Sequence, residues 1–187
     1  MNVPVPFWTQ LDDRFFEPLL ASAAVSPRKR AHRNLHADFN EPVQRTCIAL
    51  VPGTYIRPHS HPQAHKRELI LPLKGQTAVL IFDAQGAVLQ KLTLAADQVC
   101  GIELPPGVWH TVFPLTDSAV ILEVKQGPYV PADPVCFADW SPEESVWQTE
   151  DRGHSPAGIR SQETEHKVRV FLNWAQTASV GESFHIS

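Results

Sequence analysis

The sequence predicts an all-β sandwich or barrel, preceded by a short helical region and followed by a strap. Three observations carry this reading. From Val43 to Lys125 about eight short apolar or alternating runs follow one another at the spacing of sandwich and barrel strands. Turn-forming stretches separate them, among them Pro52-Gly53, Lys74-Gly75-Gln76 and Asp83-Ala84-Gln85-Gly86. Seventeen prolines against nine glycines in 187 residues suit turns and rigid loops better than a helical bundle.

Pro4 and Pro6 deny a helix to the first residues, which read as an extended lead-in. Phe15, Leu19 and Ala23 fall at helical spacing from Asp12 on, with acids in the first turn and Pro18 as a kink or early breakpoint, so one apolar face would pack on the barrel. Ser26-Pro27 has the form of an N-cap followed by proline at the first helical position, which predicts a second, short helix through RKRAHRNL. Strands then follow: VQRTCIALV, TYIRPHSH, ELILPLKG, TAVLIFD, AVLQKLTL, QVCGIEL, HTVFPL and AVILEVK. After Lys125 periodicity fades, and GPYVPADPVCFADWSPEES reads as a strap on which Phe137 and Trp140 cover core. The polar run from Ser145 to His166 reads as loosely ordered, and VRVFLNWAQ fits a strand or a short helix equally. The expected organisation is one domain: a helical arm over 1–36, a barrel over 37–126 and a strap over 127–187.

Charged residues at 19% and hydrophobic ones at 43% describe an ordinary globular chain. A formal charge of −4 offers no global basis for binding nucleic acid. No apolar run reaches the roughly 20 residues that span a bilayer, and the amino terminus lacks the basic and apolar regions of a secretory signal, so a cytoplasmic protein without a membrane partner is expected. Cys47, Cys100 and Cys136 form no CxxC pair, and their odd number suits buried free thiols better than disulfides. No P-loop, GxGxxG or GxSxG sequence is present.

The informative stretch is GTYIRPHSHPQAHKRELILPLKG, residues 53–75. If His59 and His61 lie on a strand, the two-residue period places both imidazoles on one face, as ligands of a single metal ion require. The pattern continues as G-x5-H-x-H, then a Glu followed by x6-G, and later P-x-G-x2-H at Pro105, Gly107 and His110. This resembles the two signature motifs of the cupin superfamily. The resemblance implies a double-stranded β-helix, or jelly-roll, barrel that binds one metal through His59, His61, Glu68 and His110. Six residues separate His61 from Glu68 where the usual pattern has three or four, and His65 occupies a place an acidic ligand could take. Glu68 is preferred because Glu68 to Gly75 keeps the motif's spacing, with Pro62 to Arg67 absorbed as a longer turn.

A narrower resemblance spans roughly residues 12 to 145. SPRKRAHRNLH at 26–36, VQRTCIAL at 43–50, TYIRPHSHP at 54–62, WHTV at 109–112 and LEVKQGPYVP at 122–131 together look like the WbuC family of cupin-fold metalloproteins, associated with surface-polysaccharide gene clusters. That resemblance singles out Arg30, Asn34 and His36 as ligand-binding residues, able to hold a carboxylate or phosphate at the barrel mouth. Tyr55 and Arg57 share strand parity with His59, and Arg57 is the better candidate for an anionic substrate. His36 and His65 are the candidate bases, while His32, His154, His166 and His185 read as ordinary surface residues.

Three imidazoles and a carboxylate suit one divalent transition metal, Zn, Ni, Fe, Mn or Co, and do not suit Ca. The expected function is binding of, or isomerase- or epimerase-like action on, a small anionic carbohydrate-type ligand. The alternatives are a metal-dependent sugar or acid binding module without turnover and, less favoured, an Fe(II) dioxygenase. A homodimer is the expected assembly.

Overall fold

The computed structural model describes residues 8–130, 135–144 and 162–185. Most of the polar run from Ser145 lies outside the described residues. Two five-stranded antiparallel sheets face each other. Sheet A has the order β1-β2-β9-β4-β7, formed by Arg30–Asn34, Val43–Leu50, Ala119–Gln126, Glu68–Lys74 and Ile102–Leu104. Sheet B has the order β10-β3-β8-β5-β6, formed by Cys136–Phe137, His59–Ser60, Trp109–Pro114, Thr77–Phe82 and Val88–Leu94.

The alternation of side chains divides the apolar residues into three bodies. Ile48 and Leu50, Val79, Val112, Ala119 and Ile121 point between the sheets and fill the barrel. Cys47, Ala49 and Val120, on the opposite parity of sheet A, receive helix α1, Asp13–Val25. Ala78, Leu80, Phe82 and Phe113, the outward residues of sheet B, receive helix α2, Gln162–Thr177. The arrangement is a jelly-roll barrel with one helix on each outer face.

Helix α1 has the expected face, burying Phe15, Phe16, Leu19 and Ala23. Asp12 caps it, its carboxylate accepting from the Phe15 N–H at 3.2 Å. Pro18 does not end the helix, which runs on to Val25. The short helix expected after Ser26 does not form. Ser26 has extended backbone, its hydroxyl accepts from the Arg28 N–H at 3.2 Å, and its carbonyl accepts from the Lys29 N–H at 3.0 Å. Ser-Pro here opens a reverse turn with proline at its second position. The chain then enters β1, paired with β2 from Arg30↔Leu50 to Asn34↔Thr46, so residues 30–34 belong to sheet A.

The run TYIRPHSH is also not a continuous strand, since only His59–Ser60 pairs in the ladder. Pro58 has no N–H to donate, and the carbonyls before it are taken by side chains. Tyr55 O accepts from Arg30 Nη1 at 2.7 Å and Ile56 O from Thr111 Oγ1 at 2.5 Å. Strand parity therefore does not extend back from His59 to Tyr55 and Arg57.

Gly75, at φ +67°, turns β4 into β5 where any Cβ would collide with the Ser118 carbonyl and Thr116. VRVFLNWAQ is helical as part of α2, with Val168, Phe171 and Ala175 on the buried face. The strap lays β10 beside β3 through Cys136↔Ser60 and Phe137↔His59. Trp140 covers Phe82 at a ring separation of 4.9 Å. All three thiols are free, as expected, but only Cys47 is buried; Cys100 is exposed and Cys136 half-buried.

Candidate metal centre

The register of both sheets delivers the centre. On sheet B, His59 of β3 stands opposite His110 of β8, and the two rings are 4.4 Å apart. On sheet A, Glu68 of β4 stands opposite Lys125 of β9. Parity aims each pair into the barrel, His110 with Val112 and Glu68 with Ile70. His61 follows β3 directly, its ring 5.2 Å from that of His59, and its carbonyl accepts from the Gly107 N–H at 2.8 Å. That bond ties the first motif to the PPG turn of the second. The longer segment before Glu68 closes as a turn, Lys66 N–H to Gln63 O at 2.9 Å, and Lys66 Nζ donates to the carbonyls of Gln126 and Pro128.

Two of the imidazoles are presented in a defined way. His59 Nδ1 lies 3.0 Å from the carbonyl of Arg57, and His110 Nδ1 lies 3.0 Å from that of Val108. Each carbonyl can only accept, so each Nδ1 carries the proton and Nε2 is left as the ligand atom. Among the described residues, His59, Glu68 and His110 form a group whose ligand atoms lie within 4.8 Å of one another. His61 falls outside that mutual group. Its Nε2 is 3.6 Å from Glu68 Oε2 and 3.3 Å from Lys125 Nζ.

Glu68 supplies the test of whether a cation fits. Its Oε1 has the Lys125 ammonium at 3.1 Å. Its Oε2 is buried without a hydrogen-bond partner, although His110 Nε2 is 3.2 Å away and His61 Nε2 3.6 Å away. The approach of His110 is thus close without being a well-aligned hydrogen bond. A buried carboxylate oxygen facing nitrogen lone pairs is costly unless a cation lies among them, and a divalent ion with oxygen and nitrogen ligands meets that need.

The protonation of His59, His61 and Glu68 agrees. Burial, helped by His110, holds His59 well below its ordinary value. Burial and the Lys125 ammonium lower His61 to about 4, so both rings are neutral near pH 7 and able to ligate. Burial alone would raise Glu68, but Lys125 and His110 outweigh it and hold the carboxyl well below the usual range. For His110, burial opposes protonation and the Glu68 carboxylate overcomes it, raising the ring. Glu123, which shares Lys125 at 2.8 Å, is pushed up to about 7 by burial and by Glu68, against the pull of Lys125.

The other candidate residues lie elsewhere. Arg30 is buried, donating to Tyr55 O and, at 2.5 Å, to Glu144 Oε1. Tyr55 is a core residue against Phe171, its hydroxyl donating to Pro142 O at 2.6 Å. Arg57 donates to Ala138 O at 2.9 Å and Ser141 Oγ at 3.3 Å. These three residues clasp the strap. Asn34 is exposed and accepts from Thr46 Oγ1 at 3.1 Å. His36 Nδ1 accepts from the Arg45 N–H at 3.0 Å, fastening the chain to β2. His65 is exposed in the turn, outside the group of mutually close ligand atoms. Phe137, expected as a core cover, has its ring 6.3 Å from that of His59.

Glu123 and Lys125 are site residues that sequence reasoning did not single out. The signal was available: Ala119, Ile121, Glu123 and Lys125 alternate along β9, so two charged residues continue the parity of a barrel-filling strand.

A family model described as "Domain of unknown function (DUF6016)" matches residues 11–94, the span from α1 to the end of β6. No curated protein sequence matches the chain. Among solved structures, CapF, crystallised with the inhibitor 3-isopropenyl-tropolone, aligns at a TM-score of 0.52 and 18% identity over 60% of this chain and 32% of its own. This chain therefore spans about a third of CapF. Recombinant oxalate oxidase in complex with glycolate aligns at 0.49 and 20% identity, over 72% of this chain and 68% of its own. A cupin 2 conserved barrel domain protein from Rhodopseudomonas palustris aligns at 0.42 and 20%, over 56% and 66%. The likeness is one of fold: two antiparallel sheets closed into a cupin barrel. No helix among the described residues is long and apolar enough to cross a membrane.

Proposed function

We propose that this cupin uses His59, His61, Glu68 and His110 to hold one divalent transition metal, and that it acts there on a small anionic, carbohydrate-type ligand by isomerase- or epimerase-like chemistry. The observation that carries the reading is Glu68 Oε2, buried and without a hydrogen-bond partner among imidazoles aimed at it. When bound, the metal supplies polarisation of a ligand oxygen. His59 and His110 present Nε2, held by the carbonyls of Arg57 and Val108, and Glu68 brings the negative charge that offsets part of the ion's. The sequence resemblance to the WbuC family supports the same reading and suggests a role in polysaccharide metabolism; a cytoplasmic location follows the absence of a membrane-length apolar run, and a homodimer follows the prevalence of closed symmetric dimers.

A second reading, binding without turnover, is favoured by one observation. Neither candidate base stands at the centre, since His36 is bonded to the backbone of β2 and His65 is exposed in its turn.

The test is metal content after purification without added metal, together with mass spectrometry of any small molecule that co-purifies. The wild type is expected to carry close to one equivalent. His59→Ala and His110→Ala are each expected to lower metal affinity by about a hundredfold, near 2.7 kcal/mol. Full metal stoichiometry in both variants would remove the centre from these residues.

A further inference from the structure

The structure assigns a ligand-binding role to Lys125: metal binding frees one of its N–H donors, and that donor, with Glu123 and Thr46 beside it, receives a polyhydroxylated carboxylic acid. This inference rests on the proposed metal centre and goes beyond it by naming a residue, an order of binding and a ligand class.

An ammonium group has three N–H donors. In the metal-free arrangement Lys125 Nζ has three partners: the carboxylates of Glu68 and Glu123 as ion pairs at 3.1 Å and 2.8 Å, and His61 Nε2 as a hydrogen-bond acceptor at 3.3 Å. The neutral imidazole of His61 offers one lone pair, which cannot serve the ammonium and a metal ion together. Metal ligation by His61 therefore takes an acceptor away from Lys125. One donor is released in a half-buried place, its side chain 24% exposed, where an unmade hydrogen bond is costly. The ammonium is then also a neighbour of a divalent cation, and an anion lying between the two relieves that repulsion.

The surroundings specify what accompanies the anion. Across the inner face of sheet A, Asn34, Thr46 and Glu123 stand in one register row, next to the row of Lys125 and Glu68. Exposure falls along it, from exposed Asn34 through half-buried Thr46 to Glu123, whose side chain is 20% exposed. An amide, a hydroxyl and a carboxylate on a strand face are a wall of mixed donors and acceptors leading from solvent to the metal. That wall matches a chain of ligand hydroxyls, with the ligand's carboxylate placed between metal and Lys125.

The experiment is titration of D-gluconate, and of lactate as a short control, into Co(II)-loaded and metal-stripped protein by calorimetry. Co(II) affinity is read separately from its absorption band. Loaded wild type is expected to bind gluconate at least tenfold more tightly than stripped protein. Lys125→Met is expected to take up Co(II) at least as tightly as wild type while gluconate binding falls at least tenfold. Equal gluconate affinity in loaded wild type and Lys125→Met overturns the inference, as does loss of Co(II) uptake in that variant, which would make Lys125 a positioning residue for Glu68. Should Lys125→Met not fold, Thr46→Val serves: gluconate weakens about fivefold with lactate unchanged, and unchanged gluconate overturns it. Wild type that takes up no Co(II) sinks the proposed function itself. Wild type that takes up Co(II) and ignores gluconate sinks only this inference.

Discussion

Two groups of buried charges lie at the strap side of the barrel, and they differ in what completes them. In the first, the Glu144 carboxylate is met by Arg30 at 2.5 Å, Arg28 at 3.5 Å and the Arg57 backbone N–H at 3.5 Å, while Arg30 also bonds Tyr55 O. In the second, Glu68 meets Lys125 through one oxygen and leaves the other without a hydrogen-bond partner among histidines. The chain meets both oxygens of the Glu144 carboxylate with its own donors, whereas one oxygen of Glu68 asks for something from outside. Burial and charge alone do not mark a functional site. An unmet acceptor among ligating nitrogens does.

The sharpest way to break this contrast is Arg30→Ala. Removing one member of a buried charge pair leaves the other poorly compensated, at a cost of about 3–5 kcal/mol. We expect thermal or denaturant unfolding to shift by that amount while metal stoichiometry stays at the wild-type level. Metal loss in step with stability would mean that the strap clasp and the centre are one unit, and the contrast would fail.

Legibility in the sequence followed the same line. Strands β2, β4, β5, β8 and β9 could be read because two-residue alternation and turn residues are local properties, and Gly75 marks a place where no side chain fits. His59, His61, Glu68 and His110 could be read as a set because their spacing resembles a known motif. What local patterns cannot show is which distant partner takes a backbone carbonyl. Residues 54–58 are excluded from the ladder by Arg30 and Thr111, 25 and 55 positions from the carbonyls they bind. Ser26-Pro27 fits a helix start and a reverse turn equally, and the pairing of β1 with β2 decides for the turn. Arg30, Tyr55 and Arg57 have the chemistry of ligand-binding residues, yet Ala138, Ser141, Pro142 and Glu144 of the strap engage them first.

Acid titration of metal-free protein sharpens the contrast with a smaller effect. His61 has a folded value of about 4 against an ordinary 6.5, so the unfolded chain takes up its proton first as the pH falls. Stability from this group is complete above pH 6.5 and is lost toward pH 4. His59, lowered by burial, acts in the same direction. His110, raised by Glu68 despite burial, acts oppositely: its contribution is present below pH 6.5 and fades as the pH rises through its folded value. Glu68, depressed by Lys125 and His110 despite burial, adds stability that is present above its ordinary 4.5 and lost as the pH falls through its folded value. Glu123, pushed up to about 7 chiefly by burial, opposes His61 in the same window, because its folded carboxyl takes up a proton before the unfolded one does, so the His61 contribution is read as a difference between wild type and variant. Relative to wild type, His61→Gln should lose less stability between pH 6.5 and pH 4. An unchanged slope would show that His61 is not buried neutral and so does not offer its Nε2 lone pair to Lys125 or to a metal.

The smallest effect is read without unfolding the protein. Cys47 is buried under α1 and its thiol is pushed up by burial, only partly offset by Arg33, while Cys100 is exposed. Since the thiolate is the reactive form, a small alkylating reagent should label Cys100 first and Cys47 only as fast as the fold opens. Cys136 lies between them in exposure and sits on β10 opposite Ser60, next to the residue that faces His59. Its labelling rate reports whether the strap edge is seated. Arg30→Ala, which loosens the clasp, should speed Cys136 labelling several-fold with Cys100 unchanged. His110→Ala, which leaves the clasp intact, should leave Cys136 as in the wild type. Faster Cys136 labelling in His110→Ala would show that the centre, rather than the Arg30–Glu144 pair, holds β10 against β3.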